Sequence, residues 1–157
     1  IIEKVAKKFN IEVLMFIDTS HILESDYSKI IQVGQGQDAA DIAIINNTKK
    51  DDIVITGDYG VASLALVKDA YVISFNGMYY THENIDRLLF ERHIGKQQRK
   101  AGKRNSRIKK RTQDLDMNFE KALVSLCNNN QILVGAGKRR SSSMTCSCVR
   151  PLGSILP

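Results

Sequence analysis

Cysteine is scarce in this chain of 157 residues, and it comes late: Cys127, Cys146 and Cys148 are the only three. No histidine follows His93, which disfavours a Cys/His zinc site in the tail. The cysteines therefore read as structural or incidental. No apolar run approaches the roughly 20 residues needed to span a bilayer. No signal-peptide pattern is found at the start, so the expectation is a soluble, cytosolic protein with no membrane partner.

Acidic residues are missing from one place in particular. Residues 93–111 carry 9 Lys/Arg and no Asp or Glu, whereas residues 1–92 carry 9 Lys/Arg against 14 Asp/Glu, a net charge of −5. The basic run is Lys96, Arg99, Lys100, Lys103, Arg104, Arg107, Lys109, Lys110 and Arg111, and no aromatic residue interrupts it. Base stacking is thus not indicated, and contact with the phosphates of RNA or another nucleic acid is the functional reading. A solvated, flexible charge run is the alternative. Without apolar periodicity, Gly95–Arg111 is expected to be a mobile surface loop.

The rest is ordinary globular sequence, 43% hydrophobic and 25% charged. Its length suits one domain that buries about two thirds of the surface its unfolded chain exposes. Helical spacing marks 1–9, 39–45, 61–67, 85–89 and 115–126. Short continuous apolar runs mark strands at 13–17, 29–33, 53–55 and 71–75, covered on both faces. Asn76-Gly77 signals a two-residue hairpin with Met78-Tyr79-Tyr80 as the partner strand. The pattern stops after Asn130, and residues 129–157 are expected to be an irregular or disordered tail behind a domain at 1–128. Strands alternating with helices predict an α/β fold with a mainly parallel central sheet and an edge hairpin.

In such a fold the carboxyl ends of the strands gather Asp18, Asp38, Asp41 and Asp58 at one edge. Asp38 and Asp41 share a helix face, and Asp58 follows the next apolar run. Mg²⁺ or Mn²⁺ prefers such oxygen ligands and could activate water for phosphodiester cleavage. Each acid also has a structural reading: Asp38 and Asp58 as helix caps, Asp41 as a first-turn acid. Gly34-x-Gly36-x-x-Ala39 matches the relaxed dinucleotide fingerprint, but two acids would stand where a pyrophosphate must sit. Asp18-Thr19-Ser20-His21 suggests nucleophilic catalysis only superficially, because neighbours in sequence seldom form a triad.

Three motifs occur in order: Gly36-Gln37-Asp38-Ala39-Ala40-Asp41, Ile55-Thr56-Gly57-Asp58 and Asn76-Gly77…Tyr80-Thr81-x-x-Asn84-Ile85. With them the chain resembles the bacterial YaiI/YqxD family, an uncharacterised family regarded as related to PIN-type nuclease domains. The resemblance runs from Ile1 to about Cys127. It implies a PIN-like three-layer fold, with Asp38, Asp41 and Asp58 as the candidate catalytic and Mg²⁺- or Mn²⁺-holding residues. The family opens on a strand ending in an Asp-Ala-Asp-type motif followed by Cys-Pro, and this chain starts after it. The leading metal ligand is therefore expected to be missing here, with Asp18 a weak substitute. A divalent-metal-dependent nuclease is the leading expectation. A non-catalytic nucleic-acid-binding module using 96–111 is the alternative.

Overall fold

The computed structural model describes residues 1–19, 22–34, 36, 38–100, 111–134 and 143–147. Its elements are α1 (Ile2–Phe9), β1 (Glu12–Asp18), β2 (Lys29–Val33), α2 (Ala39–Asn47), β3 (Ile53–Ile55) and α3 (Tyr59–Val67), then β4 (Tyr71–Ile73), β5 (Tyr79–Tyr80), α4 (Ile85–Lys100), α5 (Gln113–Val134) and β6 (Ser143–Ser147). The fold is mixed α/β.

β3 shows why helices must lie on both faces of the sheet. Ile53, Val54 and Ile55 are all fully buried, and successive strand residues point to opposite faces. Ile53 and Ile55 join Val5 and Ala6 of α1, Val13 of β1, and Phe119 and Leu123 of α5. Val54 joins Ile44 of α2, Val61 and Ala65 of α3, and Leu88 of α4. Burying each such aliphatic side chain contributes about 1.5–3 kcal/mol relative to leaving it exposed.

β1 and β2 pair in parallel, β3 and β4 pair in parallel, and β5 closes antiparallel on β4. β6 lies parallel between β1 and β3, giving the order β2-β1-β6-β3-β4-β5. Without β6 the sheet would divide into a parallel pair and a mixed three-stranded unit. This strand departs from the expectation that regular structure ends after Asn130. α5 also runs on to Val134, because its buried stripe of Phe119, Leu123 and Cys127 fixes the helix and asparagine costs little within one.

A second departure concerns Gly95–Lys100, expected as loop and found as the last turns of α4. Gln, Arg and Lys are good helix formers even without an apolar stripe. Positions 101–110, which hold Lys103, Arg104, Arg107, Lys109 and Lys110, lie outside the described residues, as does His21.

The hairpin is wider than Asn76-Gly77 alone suggests. Ile73 stands opposite Tyr79, so residues 74–78 form the connection. The Gly77 amide donates to the Ser74 carbonyl at 3.0 Å, which places Gly77 at the end of the turn with φ 86°. Asn84 latches the hairpin to α4: its Oδ1 accepts from the Thr81 amide at 3.0 Å, and its Nδ2 donates to the Tyr79 carbonyl at 2.9 Å. Among the described residues, no helix is long and apolar enough to cross a membrane.

Gly77 is the position least tolerant of a side chain. A Cβ there would sit 2.8 Å from the Asn118 carbonyl oxygen of α5, on a backbone with positive φ that L residues rarely adopt. Gly77→Ala is expected to cost about 1–3 kcal/mol. Urea denaturation should show the lowered midpoint, and an unchanged midpoint would mean that hairpin and α5 do not pack this way.

Candidate functional site

The site is built where β3 ends. Thr56 is buried, and its hydroxyl oxygen accepts the Asp58 amide at 3.1 Å, fixing the turn into α3. Asp58 is the N-cap of α3: Oδ1 accepts the amides of Gly60 at 2.7 Å and Val61 at 3.4 Å. A Cβ at position 60 would lie 3.0 Å from that oxygen, so the glycine gives the carboxylate room to cap. Oδ2 accepts from Nη1 of Arg92 on α4 at 2.9 Å. The Arg92 guanidinium also lies 5.9 Å from the centre of the Tyr59 ring, and Tyr59 meets Tyr80 edge-on. Burial, with Tyr59 and Asp58 nearby, pushes the Tyr80 hydroxyl up to about 12.

α2 contributes the other two acids. Lys68, just past α3, donates to the Ile45 carbonyl at 2.5 Å and the Thr48 carbonyl at 3.2 Å. A cation on the carbonyl end of α2 fixes that helix beside α3. Asp38, Asp41, Asp58 and Arg92 then line one cavity of about 380 Å³, whose wall includes Ile42, Ile45, Val61 and Leu64. Asp18 ends β1 at the same edge of the sheet but does not line this cavity.

The structural readings of the three acids now separate. For Asp58 the cap is real. Asp38 occupies the N-cap position of α2, yet its side chain accepts no capping hydrogen bond. Asp41 is partly buried, and its carboxyl is raised above the ordinary value by burial, then by the charges of Asp58 and Asp38, against a smaller opposing effect of Arg92. Acids kept together against their own repulsion are candidates for function.

A hard cation is the group this donor chemistry suggests. Among the described residues, no three His, Cys, Asp or Glu side chains are grouped to hold one ion. Mg²⁺, however, usually keeps several waters and needs only one or two protein carboxylates. Asp38 and Asp41 can supply that smaller set, with Asp58 beside them and engaged by Arg92.

A second cavity, of about 440 Å³, opens beside α1 and α5 and is lined by Glu3, Met15, Phe75, Arg111, Asp116 and Phe119 among others. Glu3, Arg111 and Asp116 are engaged within it. Glu3 accepts from the hydroxyls of Ser25 and Ser28, and Arg111 pairs with Asp116 and lies over the Phe119 ring. Arg111 is thus placed away from the acidic cavity. Lys96 is exposed on α4, one turn beyond Arg92. The side chains of Arg99 and Lys100 are not described. Cys127 is buried in the core, and burial pushes its thiol up to about 11, in keeping with a packing role. Arg92 is the residue that sequence reasoning missed. It lies 34 positions from Asp58, and no local pattern links the two.

A family model described as "Uncharacterized BCR, YaiI/YqxD family" matches residues 1–129. The chain belongs to this family. YaiI/YqxD relatives include a "UPF0178 protein" of Alkaliphilus oremlandii, 50% identical over 130 residues that cover 83% of this chain and 84% of the relative. Another, from Lachnoclostridium phytofermentans, is 53% identical over 129 residues, covering 80% and 87%. No solved structure matches the chain. The motifs that carried the resemblance to the YaiI/YqxD family have local work in the fold: the cap and turn at 56–58, and the hairpin latch at 76–85.

The raised carboxyl of Asp41 has a consequence for stability. A carboxyl whose folded value exceeds its unfolded one favours the folded state while protonated and loses that contribution as pH rises through the folded value. At pH 7 ionised Asp41 therefore costs stability, and Asp41→Asn is expected to raise Tm by about 1–3 °C. The gain should vanish once the pH falls below the ordinary value of 3.8. Calorimetry at pH 7 and at acid pH checks both points, and a gain independent of pH would count against the charge argument.

Proposed function

We propose that the chain has a PIN-like fold and is a divalent-metal-dependent nuclease, or a close relative of one, acting on RNA or another nucleic acid. The carrying observation is the pair Asp38 and Asp41, beside Asp58 in one cavity, with no capping bond on Asp38 and with Asp41 raised by burial and then by the charges of Asp58 and Asp38. Mg²⁺ or Mn²⁺ held there by Asp38 and Asp41, with Asp58 beside them and engaged by Arg92, would supply electrophilic stabilisation of a phosphodiester and lower the pKa of water. Asp58 fixes the start of α3 at the cavity rim. Lys96 is exposed on the helix that carries Arg92, one turn beyond it, and a polyanion held by it would run beside the cavity.

The test uses the full chain with end-labelled single-stranded RNA, with Mg²⁺ or Mn²⁺ and with EDTA. EDTA should abolish cleavage. Asp38→Asn and Asp41→Asn should each lower it by about 100-fold or more, the scale of losing a group that stabilises transition-state charge. Cleavage that survives both substitutions would sink the metal-site reading. Steeply salt-dependent RNA binding without any cleavage would instead favour a non-catalytic nucleic-acid-binding module that uses residues 96–111.

A further inference from the structure

α3 carries no charged residue from Tyr59 to Val67, and α2 carries only Asp41. A helix at a protein surface normally turns a polar face outward. Here Val61, Ala62, Ala65 and Leu66 enter the core, yet Leu64 and Val67 are 55% and 78% exposed, and Ile42 of α2 is 60% exposed. Ile42 and Leu64 line one cavity with Ile45 and Val61, and Leu64 and Val67 stand three apart on one side of α3. The exposed residues thus form one continuous patch, which is a sign of an interface where scattered single residues would not be. It has a hollow, the cavity of about 380 Å³, with Val67 projecting beside it.

The two ends of this face differ in charge. α2 and α3 run side by side in the same direction, since their first-turn acids share the cavity while Lys68 bonds the carbonyls of Ile45 and Thr48 at the far end. The N-terminal end presents Asp38, Asp41 and Asp58, with Arg92 as the base among the residues lining the cavity. Beyond the C-terminal end stand Lys49, Lys50 and Lys68, with Asp51 and Asp69 beside them and Asp52 buried.

We propose that the outer face of α2 and α3 is a self-association surface, covered by the same face of a second copy of this chain with the helices of the two copies antiparallel. A closed two-fold pair needs a patch that is complementary to itself. A hollow and a projection side by side on one apolar face meet that need: Val67 of each copy enters the hollow between α2 and α3 of the other. Charge selects the direction. Antiparallel copies set the acid-rich end of each face against the lysine-bearing end of the other, whereas parallel copies would oppose three carboxylates to three. Two helices of nine residues each offer less than the roughly 20–30 residues a side of a standard interface. The pair therefore belongs to the micromolar class of association. Its formation covers the cavity that holds Asp38, Asp41 and Asp58, so it competes with any ligand that reaches those acids. The proposal is independent of the metal-dependent reading above.

Sedimentation velocity on the full chain, in EDTA and without nucleic acid, tests this over protein concentrations from about 1 to 300 μM. The wild type should pass from monomer to dimer and go no further, as a closed two-fold pair must. Val67→Glu and Ile42→Gln, each first shown to be folded by its thermal melt, should raise the dissociation constant about tenfold or more. Both side chains are mostly exposed, so neither change empties the core. Met117→Gln, at an exposed apolar position of α5 on the other side of the sheet, should leave the constant unchanged. Raising salt from about 50 to 500 mM should weaken the pair, because ends of opposite charge meet. A chain that stays monomeric, a dimer indifferent to Val67→Glu and Ile42→Gln, or growth beyond the dimer overturns the proposal. A pair that salt leaves unchanged or tightens overturns the antiparallel arrangement.

Discussion

The three residues of β3 are the constraint from which the rest of the structure follows. A strand buried on both faces can pair only within a sheet, and it needs apolar helices on either side. α1 and α5 cover one face, while α2, α3 and α4 cover the other. That arrangement leaves the carboxyl end of β3 as the place where the chain emerges from the core with a fixed direction. Thr56 and Asp58 set the angle of exit through one hydroxyl and one carboxylate, so α3 begins at the sheet edge rather than across it.

The acidic cavity is a product of this geometry. Asp58 arrives with α3, Asp38 and Asp41 arrive with α2, and Lys68 ties the far end of α2 to the segment after α3. Two helices packed side by side on one face of the sheet thus bring their N-terminal acids together. Capping explains one of the three carboxylates. Asp38 accepts no such bond, and burial, followed by the charges of Asp58 and Asp38, raises Asp41.

Local patterns carried much of this. The apolar runs marked β1 to β4, the 3.6-residue spacing marked α1 to α3, and the three motifs marked the family. They could do so because those elements are short, buried on predictable faces and bounded by Asn, Gly and Asp. The hairpin was legible in kind but not in width, since its turn is set by the close approach of Gly77 to α5 rather than by the Asn-Gly pair alone. The end of α4 was not legible, because its last residues have helix propensity without an apolar stripe. β6 was not legible either: five residues amid Arg and Ser show too little pattern, and their strand character comes from pairing with β1 and β3.

What the sequence by itself determined is the α/β alternation, the family and the placing of acids after strands, because burial periodicity and capping chemistry are local. Tertiary structure alone decided which acids share a cavity, which of them is spent on a cap, and that Arg92 answers Asp58 from 34 residues away. Those are questions of distance between elements, and the packing on either side of β3 settles them.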